Sequence, residues 1–145
     1  MSKKVTTTDK NPGMMMFYSF ICIMVSSAVV IAAANLWFPN NVVLGTMSLS
    51  TLWAIILSSS AISVIGTFAM PFIHQWEIQR DKMATAAEMF MLYLGINFAA
   101  VWLLTRVAEV FGLGVTSWIV ALLLAAALDL IQGVTMMWLE STRKK

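Results

Sequence analysis

Four long apolar stretches constrain this chain more than any other feature. A hydrocarbon core about 30 Å thick takes about 20 helical residues at a rise of 1.5 Å each. Runs of that length stand at about residues 15–38, 51–73, 87–111 and 115–139. Pro39-Asn40-Asn41 and Gly45 mark the first break, a charged loop at about 74–86 the second, and Gly112-Leu113-Gly114 the third. Only a ten-residue head, that loop and a short tail are hydrophilic. Of the 145 residues 60% are hydrophobic and 11% charged, against about 25% charged in soluble domains. The pattern predicts an all-α fold, an integral membrane four-helix bundle forming a single transmembrane domain over residues 1–145.

Lys3 and Lys4 ahead of an apolar run invite comparison with a signal peptide. Signal h-regions cover about 7 to 15 residues, whereas the stretch from Met14 to Ala34 has hardly a polar interruption. A retained first helix is expected. Orientation follows from the excess of Lys and Arg in cytoplasmic loops. Lys3, Lys4 and Lys10 lie in the head, Arg80 and Lys82 in the middle loop, and Arg143, Lys144 and Lys145 in the tail, while residues 39–50 and 112–114 carry no charge. Both termini are therefore expected in the cytoplasm, with the chain in the cell membrane. Trp37, Trp53 and Trp118 fall near the outer interface, and Trp76 and Trp138 near the inner one, where amphipathic rings are favoured. Residues 73–83 read as a helical extension partly along the membrane surface, anchored by Trp76. His74 there reads as an interfacial side chain, with no second histidine to complete a metal site.

The second half echoes the first. Met16-Phe17 and Met89-Phe90 open the odd helices, Leu44-Gly45 and Leu113-Gly114 mark the outer turns, and Trp53 and Trp118 follow. Ala61-Ile62-Ser63-Val64-Ile65-Gly66 resembles Ala127-Leu128-Asp129-Leu130-Ile131-Gln132-Gly133, with one extra residue in the later copy. These are candidates for two tandem helical hairpins in parallel repeat.

Ionisable residues at membrane depth are costly, about 2.5 to 3.5 kcal/mol each on insertion scales, so each is a candidate for function. Arg106 and Glu109, spaced i, i+3 near the outer end of the third helix, are expected to pair with each other. Alternatively they bind an anion or lipid headgroup. Asp129 lies sixteen residues after Leu113 and Asn97 sixteen before it, so the two are expected at equal depth across a helical hairpin. There the carboxyl could be held as the neutral acid or share its charge through hydrogen bonds. Gln132, one turn later, extends this strip. Its role is either glue between helices or a proton or cation position in a pathway.

Asn97 and Arg106 are nine residues apart, which at 100° per residue sets them on opposite faces of one helix. One face carries Gly95, Ala99, Trp102, Arg106 and Glu109; the other carries Asn97, Val101, Leu104 and Ala108. Such a helix is either central in the bundle or shared with another subunit. Ala28 and Ala32 form a small-xxx-small pair, and Ser59, Ser63 and Gly66 a stripe that allows close helix approach, as Gly95 and Ala99 do on the third helix. The twelve methionines fit a role as apolar gap-fillers. Cys22, the sole cysteine, cannot form an intrachain disulfide. One histidine, one cysteine, no nucleophile elbow and no phosphate loop leave no catalytic residue, metal ligand or cofactor site to nominate. A net charge of +2 spread over segment ends argues against nucleic acid as a partner.

Leu52-Trp53-Ala54, an apolar run, Met70-Pro71-Phe72-Ile73, Gly95-Ile96-Asn97 and a glycine-flanked turn into Ser117-Trp118 resemble the small four-helix proteins of the phage holin 4 superfamily. The similarity spans about residues 35–139. It departs at Met70, where that family usually has arginine, and in the long charged second loop. The resemblance implies a bacterial inner-membrane protein without a catalytic residue.

The leading expectation is a non-enzymatic protein acting in the lipid bilayer through helix packing, as a homo-oligomer or as an accessory or scaffold subunit beside other membrane proteins. The alternatives are a small channel or proton-linked transporter with Asp129 and Asn97 at the midplane, and a holin-like pore former. Orientation is directly testable. In a Cys22→Ser background, a membrane-impermeant maleimide applied to intact cells is expected to label Asn40→Cys but not Lys82→Cys.

Overall fold

The computed structural model describes residues 12–143; the head bearing Lys3, Lys4 and Lys10 and the final Lys144 and Lys145 lie outside the described residues. In chain order the elements are α1 (Pro12–Trp37), β1 (Val42–Leu44), α2 (Thr51–Arg80), α3 (Ala86–Arg106), α4 (Ala108–Phe111), β2 (Leu113–Val115) and α5 (Trp118–Arg143). Segments 16–37, 51–80, 86–106 and 118–138 are each long and apolar enough to cross a membrane. Helices suit such segments because every backbone N–H and C=O finds its partner within the segment, where no water can supply one. α1 packs against α2 and α5, and α3 packs against α5 and α2, so the four long helices form a ring.

The fold is mostly helical, as the all-α expectation has it, and departs from the expected element bounds at three helix ends. It adds one short strand pair: β1 and β2 pair antiparallel, Val42 opposite Val115, Val43 opposite Gly114 and Leu44 opposite Leu113. Each turn leaves backbone groups that helices cannot satisfy, and the two turns satisfy one another. Gly45 N–H to Gly112 O (2.8 Å) and Thr116 N–H to Asn41 O (3.1 Å) extend the pairing. Because β2 occupies 113–115, α5 begins at Trp118 instead of residue 115.

The second helix does not stop at residue 73. α2 runs unbroken through Pro71 to Arg80, and the loop shrinks from 74–86 to residues 81–85. At 30 residues it is about 45 Å long, longer than the roughly 30 Å of a hydrocarbon core. Asp81, in the left-handed region (φ 51°), closes α2 with its N–H on Ile78 O at 3.2 Å. Thr85 then starts α3 with a capping box: its Oγ1 accepts from Glu88 N–H (3.3 Å), and Glu88 Oε2 accepts from Thr85 N–H (2.8 Å). Arg80 reaches Glu88 Oε1 at 3.1 Å and lies over the Trp76 ring.

The third helix does not continue to residue 111. α3 ends at Arg106, because Val107 leaves helical geometry (φ −117°, ψ 38°), and α4 follows as a single turn. Gly112, at φ +74°, ends that turn in a conformation that a side chain strains. A Cβ there would also sit 2.5 Å from the Cβ of Ala54 on α2.

The packed interior is asymmetric along the bundle. At the turn end Val42, Leu44, Ala54, Leu104, Leu113 and Ala121 are buried together, and Ser58 Oγ donates to Phe111 O at 3.0 Å. At the other end no described residue of α1 before Ile23, of α3 before Asn97 or of α5 after Gln132 is buried. Gly112→Ala is expected to destabilise the protein by about 1 to 3 kcal/mol, through backbone strain and overpacking against Ala54. A lower thermal midpoint in detergent checks this.

Candidate functional site

Between the apolar core and the looser end of the bundle lies a layer of buried polar side chains. α1 contributes Ser26 and Ser27, α2 Ser59, Ser63 and Thr67, α3 Asn97, and α5 Asp129 and Gln132. Helical spacing explains the last two, since residues 129 and 132 share one face of α5.

Within this layer Asn97 Nδ2 donates to Gln132 Oε1 at 3.1 Å, and Gln132 Nε2 donates to Ser27 Oγ at 2.9 Å. The chain of two bonds ties α3, α5 and α1 together at one depth. Ser63 Oγ returns to Ser59 O at 2.7 Å, and Ser26 Oγ to Cys22 O at 2.8 Å, so these hydroxyls are satisfied within their own helices.

Asp129 is different. The residue is only 7% exposed, yet its buried Oδ2 has no hydrogen-bond partner among the described residues. The expected facing pair of Asn97 and Asp129 is not formed: Asn97 bonds Gln132, one helical turn further along α5. A second orphan lies on α2, where the buried Thr67 Oγ1 also lacks a partner. Pro71, four residues on, has no N–H to return to the Thr67 carbonyl. Two helices thus bring unpartnered oxygen atoms into the bundle. A buried polar group without a partner costs about 1 to 3 kcal/mol, so each of these oxygens calls for a partner such as water or an ion, or for a functional role. Tyr93, one turn before Asn97 on α3, lies within electrostatic range of Asp129.

Arg106 and Glu109 are not brought together either. Arg106 and Glu109 form no ion pair with each other or with any other described residue, because the break at Val107 takes Glu109 off the face that a continuous helix would give it. The Arg106 guanidinium lies 4.7 Å from the centre of the Trp102 ring, which itself stacks on Phe98. Both charged side chains are exposed. Of the expected packing positions, Ser59, Ser63 and Gly66 are buried, Ala28 and Ala32 are half-buried, and Gly95 and Ala99 face out of the bundle instead of into it. His74 is exposed, its Nδ1 3.7 Å from Glu77 Oε2.

Two features escaped sequence reasoning although signals for both were present. Thr85-Ala86-Ala87-Glu88 has the capping-box spacing, and Val42-Val43-Leu44 after Pro39-Asn40-Asn41 is a short β-prone run. The Gln132 bridge had no signal beyond its place one turn from Asp129.

No family model matches the chain, and no curated protein or solved structure is significantly similar to it. The likeness to the holin 4 group therefore rests on the short motifs quoted above.

Gln132→Leu removes both bonds of the polar chain and leaves Asn97 and Ser27 without that partner. It is expected to lower stability by about 1 to 3 kcal/mol. Asp129→Asn, which breaks no such bond, is expected to leave the unfolding midpoint in detergent unchanged or raised.

Proposed function

We propose that this chain is a non-enzymatic membrane protein that binds and passes a proton or small cation at Asp129. The observation that carries the reading is the carboxyl oxygen buried in the bundle without a partner, beside neighbours that satisfy one another. A carboxylate that served only as structural glue would hold one of the amides in its layer. Asn97, Gln132 and Ser27 give the site fixed walls. Thr67 adds a second free oxygen to the interior.

Access supports the same reading. The packed core and the paired turns stand on one side of the polar layer, and on the other side the helices carry half-buried and exposed side chains. In this reading the end that holds loop 81–85 is the side from which water and ions enter toward Asp129. In the orientation favoured by the lysines and arginines, that end is cytoplasmic.

Two alike hairpins in parallel, with both termini cytoplasmic, are the architecture that fits this reading. A two-fold axis along the membrane normal would exchange α1 with α3 and α2 with α5. The ring of helix contacts has that pattern. Such an axis would also pass between the paired strands, and the two leucines equated by the sequence repeat stand directly opposite each other. Ser63 and Asp129 are then equivalent positions, and only the second hairpin has placed a carboxylate there.

A packing role in a larger assembly is a second reading. It is favoured by the face of α3 that stays outside the bundle, and it is compatible with the first.

Purified protein reconstituted in liposomes is expected to carry a flux of protons, sodium or potassium that Asp129→Asn abolishes while the thermal midpoint is retained. An equal flux in wild type and variant would remove Asp129 from the mechanism.

A further inference from the structure

We infer that the cation passed at Asp129 is a monovalent alkali ion, and that Thr67 is its first protein ligand, through its hydroxyl and its own carbonyl. The inference rests on the reading of Asp129 as a cation position and names the kind of cation.

Most hydroxyls inside these helices are satisfied locally. A serine or threonine in a helix can return its hydroxyl to the carbonyl three or four residues back. Ser26 does so to Cys22 O at 2.8 Å, Ser63 to Ser59 O at 2.7 Å and Thr135 to Ile131 O at 2.7 Å. Thr67 does not, although the residue is only 7% exposed and its Oγ1 is buried. The carbonyl of the same residue also loses its regular donor, because Pro71 stands four residues on inside α2 and has no N–H. One buried residue thus carries a hydroxyl without a partner and a carbonyl without its helical one.

The chemistry of these two oxygens selects the ion. A hydroxyl and an amide carbonyl are neutral and keep no extra proton near neutral pH. Carbonyls released from regular helical bonding are what replaces the hydration shell of a metal cation inside a membrane protein. Charge sets the valence. Among the described buried residues Asp129 alone has an ionisable side chain, so one positive charge is balanced inside the bundle and a second is not. The amides of the layer are committed, Asn97 to Gln132 and Gln132 to Ser27. The oxygens left to receive an ion are those of Thr67 and Asp129.

Depth puts the two residues in sequence. Both α2 and α5 start at the turn end, and Thr67 stands sixteen residues after Thr51 whereas Asp129 stands eleven after Trp118. Thr67 is therefore nearer the end that holds loop 81–85, by about 7 Å at a rise of 1.5 Å per residue. An ion entering from that end meets Thr67 before Asp129. Helix carbonyls point toward the C-terminus of their own helix, so the Thr67 carbonyl is directed toward the side of entry.

The thermal midpoint of the full chain in detergent tests the inference. It is expected to rise with at least one of lithium, sodium and potassium chloride over choline chloride at equal ionic strength, because an ion held by the folded state stabilises it. For the salt with the largest effect, Thr67→Val is expected to raise the half-saturating concentration about tenfold or more. Thr67→Ser, which keeps a hydroxyl there, is expected to recover most of the affinity. Pro71→Ala returns an N–H to the Thr67 carbonyl and favours the helix. It is expected to weaken the response as well, and it carries the test if Thr67→Val fails to fold, which circular dichroism reports. No response to any of the three salts, or an unchanged half-saturating concentration in the folded variants, overturns the assignment and leaves Thr67 holding water only. In that case a proton flux into liposomes that Asp129→Asn abolishes would still uphold the carboxylate reading. A response weakened in Thr67→Val but kept in Asp129→Asn would instead sink the carboxylate reading and retain Thr67 as the ligand.

Discussion

The pairing of the turns that hold β1 and β2 is the contact on which the rest of the bundle depends. A turn between two membrane-crossing helices leaves N–H and C=O groups without helical partners, and near the hydrocarbon such groups are expensive to leave unmade. Here β1 and β2 answer each other, and Gly45 and Asn41 carry the bonding on to Gly112 and Thr116. That pairing fixes the two hairpins side by side at one end. It also sets Leu44 opposite Leu113 and, with Gly112 against Ala54, closes the interior at that end. The left-handed glycine is needed because no other residue fits both the backbone angle and the gap.

From the closed end the interior becomes progressively more polar. Buried aliphatic side chains such as Ile31, Ile62, Val101 and Leu128 fill the core. Below them the Asn97, Gln132 and Ser27 chain stitches three helices at one level. Lipid offers no hydrophobic drive between helices, so such bonds and close packing must supply specificity. Beyond that layer little is buried, and α2 and α3 are joined instead by interfacial chemistry: the Thr85–Glu88 capping box, the Arg80–Glu88 pair and the Arg80–Trp76 contact. Asp129 sits at the boundary between the two regimes. It is buried at that boundary.

The third helix divides the roles of the molecule. Its buried side, Asn97 with Ala100, Val101 and Leu104, belongs to the bundle. Its outward side, with Gly95, Ala99 and Arg106, belongs to whatever stands beside the bundle in the membrane. The break at Val107 ends α3 at the turn end of the bundle. A continuous helix would have allowed Arg106 and Glu109 to neutralise each other.

The sequence by itself determined the number of membrane-crossing helices, because their length and hydropathy are set by bilayer thickness and need no tertiary information. It also singled out Asp129, Asn97 and Gln132, which are among the buried polar residues, and the two unlike faces of α3, since helical periodicity fixes which residues share a side. Only the tertiary structure decided which partners they take. Counting residues gives depth but not azimuth or reach, so Asn97 could be placed level with Asp129, yet its amide finds Gln132. Helix ends shifted for the same reason: whether a chain continues through Pro71 or breaks at Val107 depends on caps and neighbours, as with Glu88 and Ala54. The paired strands are the clearest case, because residues 42–44 and 113–115 are extended only through each other, some seventy residues apart in the chain.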